Sequence, residues 1–411
     1  MNIITNIVFV MAVFTAIAQP FVFKAQTPNN NLPVIEIGKA LDSKSVAPLS
    51  SIASKIEYTI MDETVLLEDA EKAHVFYADE EFLYVAILNP ITDTGCYIFT
   101  KEGKFVKDFA FRGRRGDEFT YLEAIAIAED SKNIALKCGT KAIIFDFNGN
   151  FLTSIPIWNI NNRASVDNVI SSSIDFLDND RLLLNSRDPQ TGYGYAVVYN
   201  LEGQRIVRKK ISGPLYTKTE TLIPGKPGTI YARQCFSHWN GHIKLITQMD
   251  DIIYRLDEQM NILPSHILDF GKYRNGLTKD DWESNKILVS NKGFEESEHF
   301  IMFRITLGAS NILPEQNGAD YRTLSIIYDK NKKTTYALKY NKKLGITGFG
   351  NDLDNGMPFR PTKILGNKMY QFVNADLFIS MAAQTSSAKM KEIAAKLTEE
   401  SNPVLVTVTI L

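Results

Sequence analysis

From about Ser54 to the C-terminus, short runs rich in Val, Ile, Tyr, Phe and Thr alternate with clusters of Gly, Asn and Asp, the pattern of β-strands joined by tight turns. One unit recurs, in which an apolar strand enters a polar turn containing glycine and a second apolar strand leaves it. It stands at Tyr97–Val106, Ile143–Leu152 and Val197–Ile206. Ile252–Met260 repeats the unit without the glycine, and Ile326–Lys333 carries Asn and Lys in its place. The turn glycines Gly103, Gly149 and Gly203 lie 46 and 54 residues apart, a period that fits propeller blades with loops of variable length. A four-stranded blade is apolar on both faces and buries them only between two neighbours, so the repeat predicts a closed ring.

Five hairpins are visible directly, and the two chain ends supply a sixth blade. Pro361–Val373 provides two inner strands, Val404–Ile410 a third, and Lys55–Met61 from the N-terminus the outermost one. Between them, residues 374–402 form a helical insertion. Its helix is expected over Ser386–Glu400, with Ser386 or Ser387 as N-cap, Met390, Ile393, Ala394 and Leu397 on one face, and Asn402-Pro403 as the stop. The fold class is therefore all-β, a six-bladed β-propeller over residues 54–411.

The chain before it reads differently. Ile7–Ala18 is an apolar run of signal-peptide length ending in Ala16-Ile17-Ala18, so residues 1–18 are expected to direct export and to be cleaved. Met1–Asn6 carries no Lys or Arg, which keeps an uncleaved anchor as the alternative. The run is short for a bilayer span, and the mature chain is expected to have none. Residues 19–53, with Pro28, Asn29–Asn31 and Pro33, read as a loose leader.

Composition narrows the partners. At 411 residues with 45% hydrophobic content the chain can bury a large core, and 45 basic against 47 acidic residues, with no long single-sign block, set nucleic acid aside. The three cysteines, Cys96, Cys138 and Cys235, are widely spaced in apolar strands and read as buried free thiols. None lies where lipidation would need it.

Four segments together resemble a known family: Phe111–Phe119; Asp251–Leu256 with Leu263-Pro264 and Leu268–Gly271; Asn351–Gly356 before Pro361; and Asn402–Leu405. They are similar to secreted bacterial six-bladed β-propellers of unknown function, distant relatives of NHL-repeat and TolB-like propellers. The resemblance implies the fold and says little about chemistry. Where the family loop reads Gly-x-Gly-Pro-Gly-Glu, this chain has Arg114-Arg115-Gly116-Asp117 at the centre, and the lipid-attachment cysteine of many relatives is missing.

Candidate sites follow from residue type. Arg112, Arg114 and Arg115, with Glu118, suit bidentate recognition of an anionic sugar or carboxylate, although a charged inter-blade loop is also ordinary solvated surface. Asn351, Asp352 and Asp354 form an acidic turn whose glycine, Gly356, stands one place too early for an EF-hand. His238, Trp239 and His242 flank Asn240-Gly241, a type I′ turn signal between the inner strands of blade four. His74 and His299 each precede an innermost strand and are candidates for the channel. No catalytic residue, metal or cofactor is assigned. The leading expectation is a non-catalytic module that holds a peptide, glycan or protein at the end of the ring shared by the arginine loop, the Asp352 turn and the helix. The alternative is a lyase or hydrolase at the channel mouth.

Overall fold

Six antiparallel sheets follow one another around a ring in the computed structural model, which describes residues 31–43, 45–88, 95–157, 173–187, 193–214, 216–220, 227–231, 234–247, 250–257, 259–275, 286–289, 294–307, 323–341 and 344–411. Blade one runs Ala73–Ala78, Phe82–Ile87, Gly95–Thr100 and Phe105–Phe111, from the channel outward. Blades two and three repeat this plan over Ala124–Pro156 and Ile174–Pro214, and blade four over Gln234–Asp269. In blade five the inner position is shared by Lys286–Val289 and Glu295–Glu296, followed by Phe300–Leu307, Thr323–Asp329 and Thr334–Ala337. The predicted targeting segment, residues 1–18, lies outside the described residues.

Alternation with period two explains why the sheets close on one another. In the second strand of blade one, Leu83, Val85 and Ile87 pack toward Tyr370 and Phe372 of blade six. Tyr84 and Ala86, pointing the other way, pack against Ile134, Leu136 and Phe145 of blade two. The same division holds around the ring, so the described core falls into six apolar clusters, one for each interface between neighbouring blades. Among the described residues Cys96, Cys138 and Cys235 form no disulfide and are buried within these clusters, and burial raises the Cys138 thiol to about 12.

Blade six closes the ring with both ends of the chain. Lys363–Leu365, Lys368–Val373 and Val404–Ile410 are joined on the outside by Ala53–Thr59, two residues earlier than the Lys55–Met61 strand expected. The helical insertion also differs from expectation. A helix at Ala375–Gln384, not anticipated, precedes a second at Ala388–Ala394, shorter than Ser386–Glu400. Ser387 caps the second helix by accepting from the Met390 backbone N–H at 3.1 Å, and Met390 is fully buried beneath it. Among the described residues no helix is long and apolar enough to cross a membrane.

The recurring hairpins share one turn. Gly103, Gly149 and Gly203 adopt positive φ, and each donates its N–H to the carbonyl three residues earlier. In blade four Met260 holds the same place at φ 60°, making the same bond to Asp257, while its side chain is buried.

Over its described residues from Val34, the leader is held against the ring. From Val34 it pairs in parallel with the outer strand of blade four, Val34–Glu36 against Ile267–Asp269. A short helix, Ile37–Asp42, follows, and Ile35, Ile37 and Leu49 are fully buried. Its alternating apolar residues find two partners too remote in sequence to suggest: Ile35 and Ile37 join the interface of blades four and five, Leu49 that of blades five and six.

Candidate functional site

Strand direction alternates within each blade, so connections between blades and those joining second to third strands leave the ring at one end. The Arg112–Glu118 loop, joining blades one and two, the Asn351–Met357 loop, joining blades five and six, and both helices of the insertion belong to that end. The Trp239–His242 turn joins first and second strands and lies at the other. Asn240 and Gly241 both have positive φ, as a type I′ turn requires.

Asp354 organises one half of the long-loop end. Its carboxylate accepts from Ser387 Oγ at 2.7 Å, from Asn351 Nδ2 at 2.7 Å, from the Gly356 N–H at 3.0 Å and from Tyr58 OH at 3.0 Å. The inter-blade loop, the second helix and the outer strand of blade six are thereby fastened to one group. Burial, and next the Asp354 charge, push the Tyr58 hydroxyl far above its ordinary range, so it stays a donor. Asp352 does the same for the leader, accepting from the Ser50 N–H at 2.8 Å and from Ser50 Oγ at 2.5 Å. The Asp352 and Asp354 carboxylates are thus taken up by internal donors.

Between these fastened segments runs a groove of about 690 Å³. Val46 and Pro48 of the leader form one wall, Leu344 lies along it, and Asn355, Gln384 and Ser386 face them from the loop and the helix junction. The leader was not among the residues expected here. It is held by backbone bonds from Leu49 N–H to the Gly350 carbonyl at 2.7 Å and from Gly350 N–H to the Ala47 carbonyl at 2.9 Å.

The arginine loop is braced by its own acid. Glu118 accepts from the Arg115 N–H at 2.9 Å and from Arg115 Nε at 2.6 Å, and these bonds hold its carboxyl below the usual range. Gly113 leaves the space that this carboxylate fills, since a Cβ there would collide with it. Lys141, from blade two, donates to the carbonyls of Arg115, Gly116 and Glu118. Among the described residues the Arg114 side chain has no ion pair or hydrogen bond, and it is exposed. Among the bonds described, none joins the arginine loop to the Asp352 loop.

At the opposite end, charged side chains tie neighbouring blades together, a feature no local motif signals. His238 faces Asp175 of blade three at 3.4 Å, and this contact raises its pKa. Glu296 of blade five takes Lys244 of blade four and Lys330 at 2.6 Å each, while Lys330 lies 4.3 Å over the Trp239 ring. His242 is exposed at the turn. His74 lies within the innermost strand of blade one, one residue past its start. His299 does not precede an innermost strand: it stands in the turn before the second strand of blade five, where its ring meets Asn331 Nδ2 at 3.0 Å. Among the described residues, no group of three His, Cys, Asp or Glu side chains is placed to hold a metal ion.

With fold and geometry in hand, comparison with known proteins gives three results. The profile of DUF4934, a domain of unknown function, matches residues 32–409. No curated protein matches the chain. Among solved structures, a Bacteroides fragilis protein described as exported is similar over 90% of this chain and 98% of its own, with TM-score 0.63 and 17% identity. A virginiamycin B lyase from Staphylococcus aureus matches over 87% and 99% with TM-score 0.40 and 10% identity. TolB from Acinetobacter baumannii matches over 80% and 64% with TM-score 0.33 and 13% identity. These likenesses concern the fold alone.

Proposed function

The chain belongs to the DUF4934 family of unknown function, and from that premise we propose that it is an exported, non-catalytic binding propeller whose ligand lies in the groove at the long-loop end. One observation carries this reading. Asp354 fastens the inter-blade loop, the blade-six outer strand and the capped helix to a single carboxylate, so the groove beside them has preset walls on a rigid ring. Preset concave sites between long loops are where small ligands and chain segments bind, because little ordering entropy remains to be lost. In this reading Asn351, Asp352 and Asp354 hold the walls, while Val46, Leu344, Asn355 and Ser386 meet the ligand.

Arrays of short peptides and of oligosaccharides, probed with the mature protein and with Ser386→Trp, test the groove. Ser386 is exposed, so the indole should fill the groove with little effect on folding. Probes that bind the natural protein should lose at least about tenfold in affinity, the usual effect of blocking a central contact. Binding that survives Ser386→Trp and Val46→Trp alike would place the ligand elsewhere. Export after cleavage at Ala18, with no attached lipid, is part of the same proposal, and the intact mass of the exported protein tests it. A mass that retains residues 1–18 would mean an anchor.

A further inference from the structure

The arginine loop carries two features that bracing does not explain. Phe111, at the end of the blade-one outer strand, is 44% exposed, and Tyr121, just beyond the loop, is 42% exposed. Aromatic rings left in water at both feet of one loop forgo burial that a propeller core readily offers. Beside them, leaving Arg112 aside, stand three cations, Arg114, Arg115 and Lys141, against two carboxylates, Asp117 and Glu118. Glu118 is already engaged by Arg115, and Asp117 lies 3.9 Å from the same guanidinium.

The loop is also braced from within. Phe111 and Gly113 exchange backbone bonds with Phe119, closing its base at 3.1 and 2.8 Å, while Lys141 and Glu118 bond its interior. Among the described residues nothing lies within 4 Å of the place a Gly116 side chain would take, so the tip is open.

We propose that Phe111–Tyr121 is a docking surface for an acidic polypeptide that carries aromatic side chains. Arg and Tyr are the residues that dominate protein interfaces, since a guanidinium fork binds carboxylates in pairs and a ring gives large contact area with few torsions to freeze. The excess of positive charge selects an acidic partner. An acidic polysaccharide is the less fitting occupant, because its many hydroxyls require acceptors and Arg115 holds the loop's carboxylates. The surface is separate from the groove and does not depend on it.

Fluorescence anisotropy with three labelled polyanions tests the assignment: a random glutamate–tyrosine copolymer, polyglutamate and polygalacturonate. The copolymer should bind about tenfold more tightly than either of the others, and Arg114→Glu should weaken it by about tenfold, as loss of a hot-spot contact does. Tyr121→Ser should bring the copolymer's affinity down toward that of polyglutamate. Among the described residues the exposed Arg114 side chain has no hydrogen bond or ion pair, so its variant tests the surface even if Tyr121→Ser folds poorly. Equal or tighter binding of polygalacturonate, failure of all three to bind, or indifference to Arg114→Glu would each overturn the proposal. Ser386→Trp should leave copolymer binding unchanged, so this surface and the groove succeed or fail separately.

Discussion

Asp354, in the connection between blades five and six, accepts a 2.7 Å hydrogen bond from Ser387, the N-cap of a helix that interrupts blade six. The same carboxylate receives Tyr58 from the N-terminal strand. One side chain therefore joins segments from both ends of the chain. Asp354→Ala leaves Ser387 Oγ, Asn351 Nδ2, Tyr58 OH and the Gly356 N–H without their shared acceptor, and should destabilise the protein by about 3 kcal/mol, as orphaning buried donors does. Tyr58→Phe should cost about 1 kcal/mol. Denaturant unfolding of the two single variants and the double variant should show less than additive loss, because both act through one network. Full additivity would mean that Asp354 is no hub.

The shared turn gives a paired test. At Gly149, φ is 71° and a Cβ would collide with Phe109, so Gly149→Ala should destabilise by about 2 kcal/mol through strain and collision together. Met260→Gly relaxes the same backbone position, yet it removes a side chain that is 3% exposed and packs with Leu245 and Leu256. Loss of that burial should win, with a net destabilisation of about 2 kcal/mol. A stabilised Met260→Gly would show that strain, rather than packing, governs the turn.

Acid should weaken the fold through His266. Burial, reinforced by the charges of Lys244 and Lys330, lowers its pKa to about 3 from an ordinary 6.5. The native state then keeps the imidazole neutral where the unfolded chain protonates it. Its contribution is intact above about pH 6.5 and declines as pH falls toward 3. At pH 4.5 the loss is roughly 3 kcal/mol. Carboxylates titrate in the same range, so the measurement is the difference between the natural protein and His266→Gln. The variant should lose less stability between pH 6.5 and pH 4.5, and parallel pH profiles would refute the assignment.

What was legible in the sequence divides along physical lines. Gly103, Gly149 and Gly203 announce their turns because a positive φ is most easily met by glycine, and their spacing then gives the blades. Met260 takes the same conformation silently, its strain offset by burial that only the fold supplies. Ser387 could be read as a cap because its partner, the Met390 N–H, is local. Its bond to Asp354 spans 33 residues and that of Tyr58 to Asp354 spans 296, so neither leaves a pattern along the chain. For the same reason the Asp352 turn was recognisable as a turn, while its place beside a groove walled by Val46 and Pro48 was not. The channel histidines were misjudged at His299 because the inner position of blade five is split between two short strands, which moves the apparent start of the blade.

The leader shows how much stability can hide in a segment that reads as a tether. Val34–Glu36 adds a parallel strand to blade four, the Glu36 N–H donates to Thr335 Oγ1 of blade five at 3.0 Å, and Lys339 Nζ donates to the Leu41 carbonyl at 3.0 Å. At Gly38 the helix comes so close to the Phe270 carbonyl that a Cβ would not fit. The segment then crosses to blade six, where Leu49 is buried and Ala53–Thr59 completes the ring. Two fastenings therefore act in series: the leader clamps blades four, five and six from outside, and the outer strand closes blade six against Val404–Ile410. They should fail differently. Removing Val404–Leu411 takes the strand that both Lys368–Val373 and Ala53–Thr59 pair with, leaving two blade edges open, and should abolish cooperative unfolding altogether. Ile35→Ala and Ile37→Ala leave every strand in place and remove only buried apolar volume, so each should cost about 3 kcal/mol while the transition stays cooperative. Val34→Ala, at a side chain 40% exposed, should cost less than about 1 kcal/mol and serves as the control. If Ile35→Ala and Ile37→Ala unfold like the natural protein, the leader merely rests on the ring, and its wall of the groove would have to be treated as movable.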